Sequence, residues 1–488
     1  MFILAIDQGT TGNTALIIDS LGKIISEGSH DHPQHYPKPG FVEHNASEIK
    51  NSVETAIKIA LQKAKVNGKE IAGIGITNQR ETTCLFNQEG ESYLPFIVWQ
   101  CRRSNDICQE LRNRGLADFF HKKTGLHIDP YFSASKISWA FKEHPSLLAK
   151  ARSGELLFGT IDTFICHWLS GHKLHITDAT NASRTMLMDI NKCEWSDECL
   201  DIFQIPKNIL PKIQKSTGPY GTTSGLGFLP DGIPIAAIAG DQQAALFGQA
   251  CFLEGDAKAT YGTGSFILLN TGKRPIFSKH GLLTSIAYHI DSEPIYCLEG
   301  SAFIAGAAVE FLHDAFGLVR TAREIEALAR SVPDSHGVIF VPALCGLGAP
   351  YWRAEARGII SGLDRGVTRG HIARATLEGV ALQNTDIIAA MAKDGVALKS
   401  LKVDGGAAEN DLLMATQADL LGVPCFRTGS AQKTALGAGY LAGLALGIFP
   451  NLEFLSKITH KTKEFLPNPD RSWANMMIAR YHETLSKA

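Results

Sequence analysis

The sequence lacks most of the marks that sort a chain into a class at sight. Its ten cysteines form no C-x-x-C pair and no C-x-x-C…H-x-x-x-H spacing, which excludes a zinc module or a disulfide framework and reads as buried thiols in a reducing compartment. Charge of one sign is scarce as well. Lys plus Arg number 47 against 49 for Asp plus Glu, a net charge of -2, which argues against a polyanion-binding surface. A composition 44% hydrophobic and 20% charged excludes disorder. No G-x-x-x-x-G-K-[ST] run and no HRD or DFG set occurs, so an ATP site here is neither a Walker nor a protein-kinase site. Long apolar runs are missing too. Phe2 to Ile6 has no basic segment ahead of it and runs into Asp7, which predicts no export signal and cytoplasmic residence. Thr434 to Leu452 carries no charge and spaces Gly439, Gly443 and Gly447 as overlapping G-x-x-x-G patterns. It is rich in Ala and Gly, and Pro450 cuts it near the roughly 17-residue minimum for a membrane span, so a close-packed interior helix is expected.

What is present points to an α/β enzyme. A chain of 488 residues predicts two domains of roughly 250 residues each; the boundary is placed at 249/250, with a cleft between the halves. Phe2 to Asp19 reads as two strands around the turn Asp7-Gln8-Gly9-Thr10-Thr11-Gly12-Asn13, and Ile71 to Thr77 as a third strand ending at Asn78-Gln79-Arg80-Glu81. Between them, Ile49, Val53, Ile57 and Leu61 give Ala46 to Lys65 a helical period after a cap at Asn45. The pattern restarts near residue 232, with a strand from Gly232 to Gly240, Asp241-Gln242-Gln243, and a helix from Ala244 to Gln249. Lys258 to Leu269 is then strand, Tyr261-Gly262-Thr263-Gly264-Ser265 turn, strand, an echo of the opening. Leu401 to Val403, Asp404-Gly405-Gly406 and a helix from Leu412 follow the order of a nucleotide site.

Converging backbone N–H groups bind phosphate, and glycine permits the close approach. Gly9 to Gly12 and Gly262 to Gly264 both qualify, although each alone also fits a plain hairpin turn. Asp7 beside the first loop repels phosphate unless a cation intervenes, which points to Mg²⁺. Asp241 ends an apolar strand, where open α/β sheets place ligands, and suits the base that a phosphoryl acceptor needs; a helix N-cap is the alternative. Arg80 and Glu81 offer donors and an acceptor to a small polyhydroxylated molecule, with Trp99, Tyr131 and Phe266 as apolar walls. A solvated loop and ordinary core packing are the alternatives for these two groups.

Taken in series, these segments resemble the FGGY family of carbohydrate kinases over nearly the full length. The motifs are Asp7-Gln8-Gly9-Thr10-Thr11; Tyr36-Pro37-Lys38-Pro39-Gly40 with Val42-Glu43-His44; Gly75 to Thr83; and Trp99-Gln100-Cys101-Arg102-Arg103. They continue with Asp129-Pro130-Tyr131-Phe132, Thr180 to Thr185, Gly240 to Gly248, Tyr261-Gly262-Thr263-Gly264 and Asp404-Gly405-Gly406. The resemblance, nearest to members that act on glycerol, implies two actin-like, ribonuclease-H-like domains closing on MgATP and a polyol. It implies that Arg80, Glu81, Tyr131, Asp241 and Gln242 bind glycerol hydroxyls and that Trp99 and Phe266 pack on its carbons. Asp241 is the implied base, with Asp7 and Asp241 near the metal. Thr10, Thr11, Gly12, Thr263, Gly306, Glu310, Gly406 and Asn410 are the implied nucleotide contacts. ATP, Mg²⁺, glycerol and a homo-oligomer, dimer or tetramer, follow as expectations.

Three positions depart from that pattern. Thr14 stands where many members carry a phosphate-reaching arginine, and Glu310 where glutamine is usual. Ser224 to Asp231 lacks the Lys and Arg of the loop that binds fructose 1,6-bisphosphate in some bacterial members. Relatives acting on xylulose tend to show Gln-Met-His-Gly where this chain has Asn78-Gln79-Arg80-Glu81, which favours glycerol. A non-catalytic nucleotide-binding protein is the more distant alternative; Thr14 and Glu310 favour it, and the complete polyol cluster argues against it.

Overall fold

The computed structural model describes residues 1–429, 432–459 and 461–488, apart from the side chain of Lys461. The aliphatic runs of the first half form a six-stranded sheet: β1 (Phe2–Gln8), β2 (Gly12–Asp19), β3 (Ile24–Asp31), β4 (Ile71–Asn78), β5 (Thr217–Thr222) and β6 (Pro234–Gly240). Their order is β5-β6-β4-β1-β2-β3. β1, β4 and β6 run parallel, and their apolar residues are buried, as parallel strands covered on both faces require. Seven strands of the second half form the other sheet: β7 (Asp256–Tyr261), β8 (Ser265–Gly272), β9 (Leu283–Tyr288), β10 (Ile295–Ala302), β11 (Ser400–Asp404), β12 (Cys425–Thr428) and β13 (Lys461–Phe465). Their order is β9-β10-β8-β7-β11-β12-β13.

The echo between the halves is a structural repeat. In the first sheet β3-β2-β1 are antiparallel neighbours and β1-β4-β6 parallel ones. In the second sheet β10-β8-β7 and β7-β11-β12 repeat that order and those directions. The turns at residues 9–11 and 262–264 therefore occupy the same place in two copies of one unit. The carboxyl ends of β4, β6 and β11 open beside them, where α/β sheets place ligands.

Among the helices are α1 (Ala46–Ala64), α2 (Ser133–Glu143), α3 (Asp241–Gly248), α4 (Gly306–Asp314), α5 (Arg369–Lys393), α6 (Asp411–Leu421) and α7 (Lys433–Ala445). α1 buries Ile49, Val53 and Ile57, the expected stripe. Asn45 sits at its N-cap position but makes no side-chain cap; its amide meets His35 Nε2 at 3.1 Å instead. β6 starts at Pro234 rather than Gly232, because Gly232 closes a turn onto the Thr223 carbonyl at 2.9 Å.

α7 opens on Lys433 and covers the first part of the charge-free glycine stretch; it is interior as expected, but it ends at Ala445, leaving Gly447, at φ 68°, and Pro450 outside it. It comes from late in the chain yet packs on α3, β1, β4 and β6 of the first half. The approach is close: a Cβ on Gly437 would lie 1.8 Å from the Ala244 carbonyl oxygen of α3. Gly437→Val is expected to cost about 3 kcal/mol or more, because backbone must move; chemical denaturation measures it, and an unchanged midpoint would contradict this packing. No helix among the described residues is long and apolar enough to cross a membrane.

Candidate active site

The two glycine turns follow the equivalent strands β1 and β7 of the repeated unit. The first is closed by Gly9 N–H donating to Gly12 O at 3.0 Å, with Gly12 already opening β2. Thr11 is exposed, and Thr10 Oγ1 accepts the Trp99 Nε1–H at 3.0 Å, tying this loop to an aromatic wall. The second is closed by Gly262 N–H to Gly264 O at 2.9 Å and is held by the start of α4. There Gly306 N–H donates to Gly262 O at 2.9 Å, and Ala305 and Ala307 N–H groups donate to Thr263 O at 2.7 and 3.1 Å. Glu310 lies exposed one turn further along α4. After β11 the chain turns sharply at Gly405, φ 90°, where a Cβ would meet Tyr261 O at 2.5 Å; only glycine satisfies both demands. Gly406 has open space beside it. Asn410 spends its Oδ1 capping α6 through Leu413 N–H at 2.9 Å, so its amide nitrogen is the group left for a ligand. Thr14 points its hydroxyl at Ser29, 3.2 Å away, across β2 and β3.

The Arg80–Glu81 pair is no surface loop: Arg80 is 2% exposed. Its guanidinium makes a bidentate pair with Glu299 of β10, Nη1 to Oε2 at 2.7 Å and Nη2 to Oε1 at 2.8 Å. Nη1 also donates to Gln243 Oε1 at 3.1 Å, and Nε lies 3.2 Å from Asp241 Oδ1. The five donors expected to serve a ligand are thus mostly taken by protein. Arg184, fully buried, donates from Nε to Glu81 Oε1 at 2.6 Å and from Nη1 to Ser285 Oγ at 3.0 Å and Glu299 Oε2 at 3.3 Å. Its Nη2 is buried with no partner among the described residues. Glu81 sits at φ 64°, a left-handed conformation that costs a non-glycine residue about 1 kcal/mol or more and that its surroundings must enforce. Burial alone would raise the Glu299 carboxyl; Arg184 and Arg80 outweigh it and hold it at about 2.

Asp241 is the first residue of α3, with Gly240 at the N-cap position, so the capping alternative fails. Its Oδ1 is held by Arg80 Nε and by Gln242 N–H at 2.7 Å, while Oδ2 has no partner among the described residues. The side chain is 29% exposed. Gln242 Oε1 accepts from Lys258 Nζ, which also donates to Thr260 Oγ1 at 3.0 Å. Because an ammonium only donates, the Gln242 amide is oriented with its NH₂ available to a ligand. Burial pushes the Lys258 ammonium down to about 8, against the pull of Asp404 and Asp241.

Trp99 and Tyr131 meet edge to face with ring centroids 5.5 Å apart. Both, like Phe266 on β8, are half-buried rather than core residues. The Tyr131 turn is fixed from behind by Lys136 of α2, whose Nζ donates to the carbonyls of Pro130 and Tyr131 at 2.6 Å and of Phe132 at 3.2 Å.

Asp7, half-buried at the end of β1, has its carboxyl pushed up to about 8, first by burial and then by the Asp241 carboxylate. No cluster of three metal-binding side chains occurs among the described residues. Two carboxylates in mutual repulsion beside phosphate-sized turns fit Mg²⁺, which takes few protein carboxylates and fills its shell with water and phosphate oxygens.

Sequence reasoning gave no role to Glu299, Arg184 or Lys258. A signal existed for the first: Glu299 is the one charge in the buried strand Ile295–Ala302, and a buried charge demands a partner.

The sequence and the fold both match known proteins. Residues 2–248 match the N-terminal domain, and residues 257–446 the C-terminal domain, of the FGGY family of carbohydrate kinases. The glycerol kinase of Bdellovibrio bacteriovorus is 50% identical over 467 residues, 95% of this chain and 94% of that protein. That of Aromatoleum aromaticum is 49% identical over 489 residues, 100% of this chain and 98% of that protein. The crystal structure of Plasmodium falciparum glycerol kinase with ADP superposes with a TM-score of 0.94 at 34% identity, covering 100% of this chain and 98% of that one. A xylulose kinase from Lactobacillus acidophilus, 24% identical, shares the fold with a TM-score of 0.90, covering 100% of this chain and 98% of that one. Matched by both domain models and built on a repeated five-strand unit, this chain belongs to the FGGY family of carbohydrate kinases.

Proposed function

We propose that this protein transfers the γ-phosphoryl group of ATP to a terminal hydroxyl of glycerol, giving sn-glycerol 3-phosphate and ADP. The observation that carries the reading is Asp241: one carboxylate oxygen is fixed by protein, and the other is free at the carboxyl end of β6. Full-length relatives named glycerol kinase at 46–50% identity support the same substrate.

The glycerol hydroxyl gives its proton to Asp241 Oδ2 as its oxygen forms the new bond to phosphorus. The bond from phosphorus to the bridging oxygen breaks, and ADP leaves. Such a transition state is loose, so the residues act mainly by orientation and charge. Gln242 presents its amide hydrogens to a hydroxyl oxygen, Glu81 and Arg80 hold the remaining hydroxyls, and Trp99, Tyr131 and Phe266 cover the carbons. Thr10, Thr11 and Gly12 on one side and Thr263, Gly306, Gly406 and Asn410 on the other receive the nucleotide, with Glu310 at the edge. Mg²⁺, held by Asp7 with Asp241 nearby, would neutralise charge on the phosphates. We place the two closing units at residues 1–249 and 250–488, and we expect a homo-oligomer, dimer or tetramer, in the cytoplasm.

Incubating the protein with MgATP and glycerol, erythritol, xylulose or dihydroxyacetone, and measuring ADP, tests the reading. Glycerol should give the highest kcat/KM; a preference for xylulose, or ADP release indifferent to acceptor, would overturn it. The segment Ser224 to Asp231 carries no basic residue and folds on itself through Gly225 N–H to Asp231 Oδ1 at 2.7 Å. Activity should therefore be unchanged by fructose 1,6-bisphosphate, and a clear drop on its addition would contradict this.

A further inference from the structure

We infer that Glu299 is a positioning residue for the phosphoryl transfer: from the second half it anchors Arg80 of the first, so that the Arg80 Nε stands beside Asp241 Oδ1 as its ion-pair partner. The inference rests on the glycerol-kinase reading of the site. Arg80 stands directly after β4 and Glu299 on β10, so the bidentate pair at 2.7 and 2.8 Å joins the two sheets. A planar guanidinium whose Nη1 and Nη2 are locked by a carboxylate fork has no freedom to rotate, so the place of its Nε is fixed as well. That Nε lies 3.2 Å from Asp241 Oδ1 and forms an ion pair with it. The consequence for Asp241 is orientation: with Oδ1 held, Oδ2 is the oxygen turned to the acceptor.

The pairing also settles which charges meet. Arg80 and Arg184 are balanced by Glu81 and Glu299 within one buried group. With Glu299 withdrawn, the Arg80 fork would be free to turn onto Asp241 and close both of its oxygens, removing the acceptor for the hydroxyl proton. Arg184 Nη2, buried without a partner, marks the same group as one that still offers N–H donors to a ligand.

Glu299→Asp keeps the charge and the strand but pulls the carboxylate back from Arg80. It is expected to lower kcat/KM for glycerol roughly 100-fold, the cost of a misplaced catalytic group, while the KM for MgATP stays within about twofold. Arg80→Lys should give a similar loss, and the double variant about the same as either single one, because both break one linkage. Losses that multiply in the double variant, or a Glu299→Asp enzyme with unchanged kcat/KM for glycerol, would overturn the inference. If Glu299→Asp is too unstable to assay, Glu299→Gln takes its place in the same kinetic cycle with Arg80→Lys and the corresponding double variant: coupling supports the anchor and additivity refutes it. The same cycle read on melting temperature stands if the wild-type enzyme does not use glycerol, which would refute the proposed function alone.

Discussion

Asp241→Asn is expected to lower kcat by a factor on the order of 10³ to 10⁴, the upper range for loss of a general base, with MgATP binding retained. The substitution is nearly isosteric. Its carbonyl oxygen can still accept from Gln242 N–H and stand beside Arg80 Nε, the two partners of Oδ1 now, so the start of α3 and the cluster behind it keep their shape. What changes is the other atom: an NH₂ stands where Oδ2 was, and it cannot take a proton from the acceptor. Steady-state rates with saturating glycerol and calorimetric titration with MgATP check both halves of the expectation. A variant with near-normal rate would remove Asp241 as base.

Removing the divalent cation should abolish turnover, and Asp7→Asn should raise the Mg²⁺ concentration for half-maximal activity by roughly 10- to 100-fold, the scale seen when a group serving a metal is lost. The same carboxylate gives a stability signature whose sign follows from its shift. Its folded-state value is raised from 3.8 to about 8, by burial first and by Asp241 second. Ionising it in the metal-free protein therefore costs stability, and the cost grows as pH rises from about 4 to about 8. Metal-free wild type should lose melting temperature across that range, Asp7→Asn should lose less, and Mg²⁺ should restore the wild type at the upper end. Identical pH profiles for the two proteins without metal would contradict the assignment of Asp7.

Local features of this fold were legible in the sequence because their causes are local. The hairpin turns at 9–11 and 262–264 are specified by glycine and by the apolar strands on either side. The α7 helix could be recognised from three glycines in a charge-free run, and Asp241 from its place at the end of an apolar strand. Even the faint echo between two turns reflected a real repeat, visible once β3-β2-β1-β4-β6 and β10-β8-β7-β11-β12 are compared. The failures share a different cause. Asn45 has the right side chain for a cap, yet His35, ten residues earlier, competes for it. Arg80 was read as a set of free donors, but Glu299 lies 219 positions away in the chain. No window of sequence contains both. A separation of 103 positions likewise hides the anchoring of Glu81 by Arg184, and although Lys258 stands only 16 positions from Gln242, it lies on a strand of the other sheet. The residues proposed to touch a ligand lie in recognisable loops, while those that orient them come from other elements, Glu299 and Lys258 from the opposite half.

A crystal structure with glycerol and a non-hydrolysable ATP analogue tests the central claim most directly. The account predicts a terminal hydroxyl within hydrogen-bonding distance of Asp241 Oδ2, in line with the γ-phosphorus, and the carbon chain between Trp99 and Phe266. Glycerol bound with its hydroxyls turned away from residue 241, or outside those aromatic walls, would contradict it.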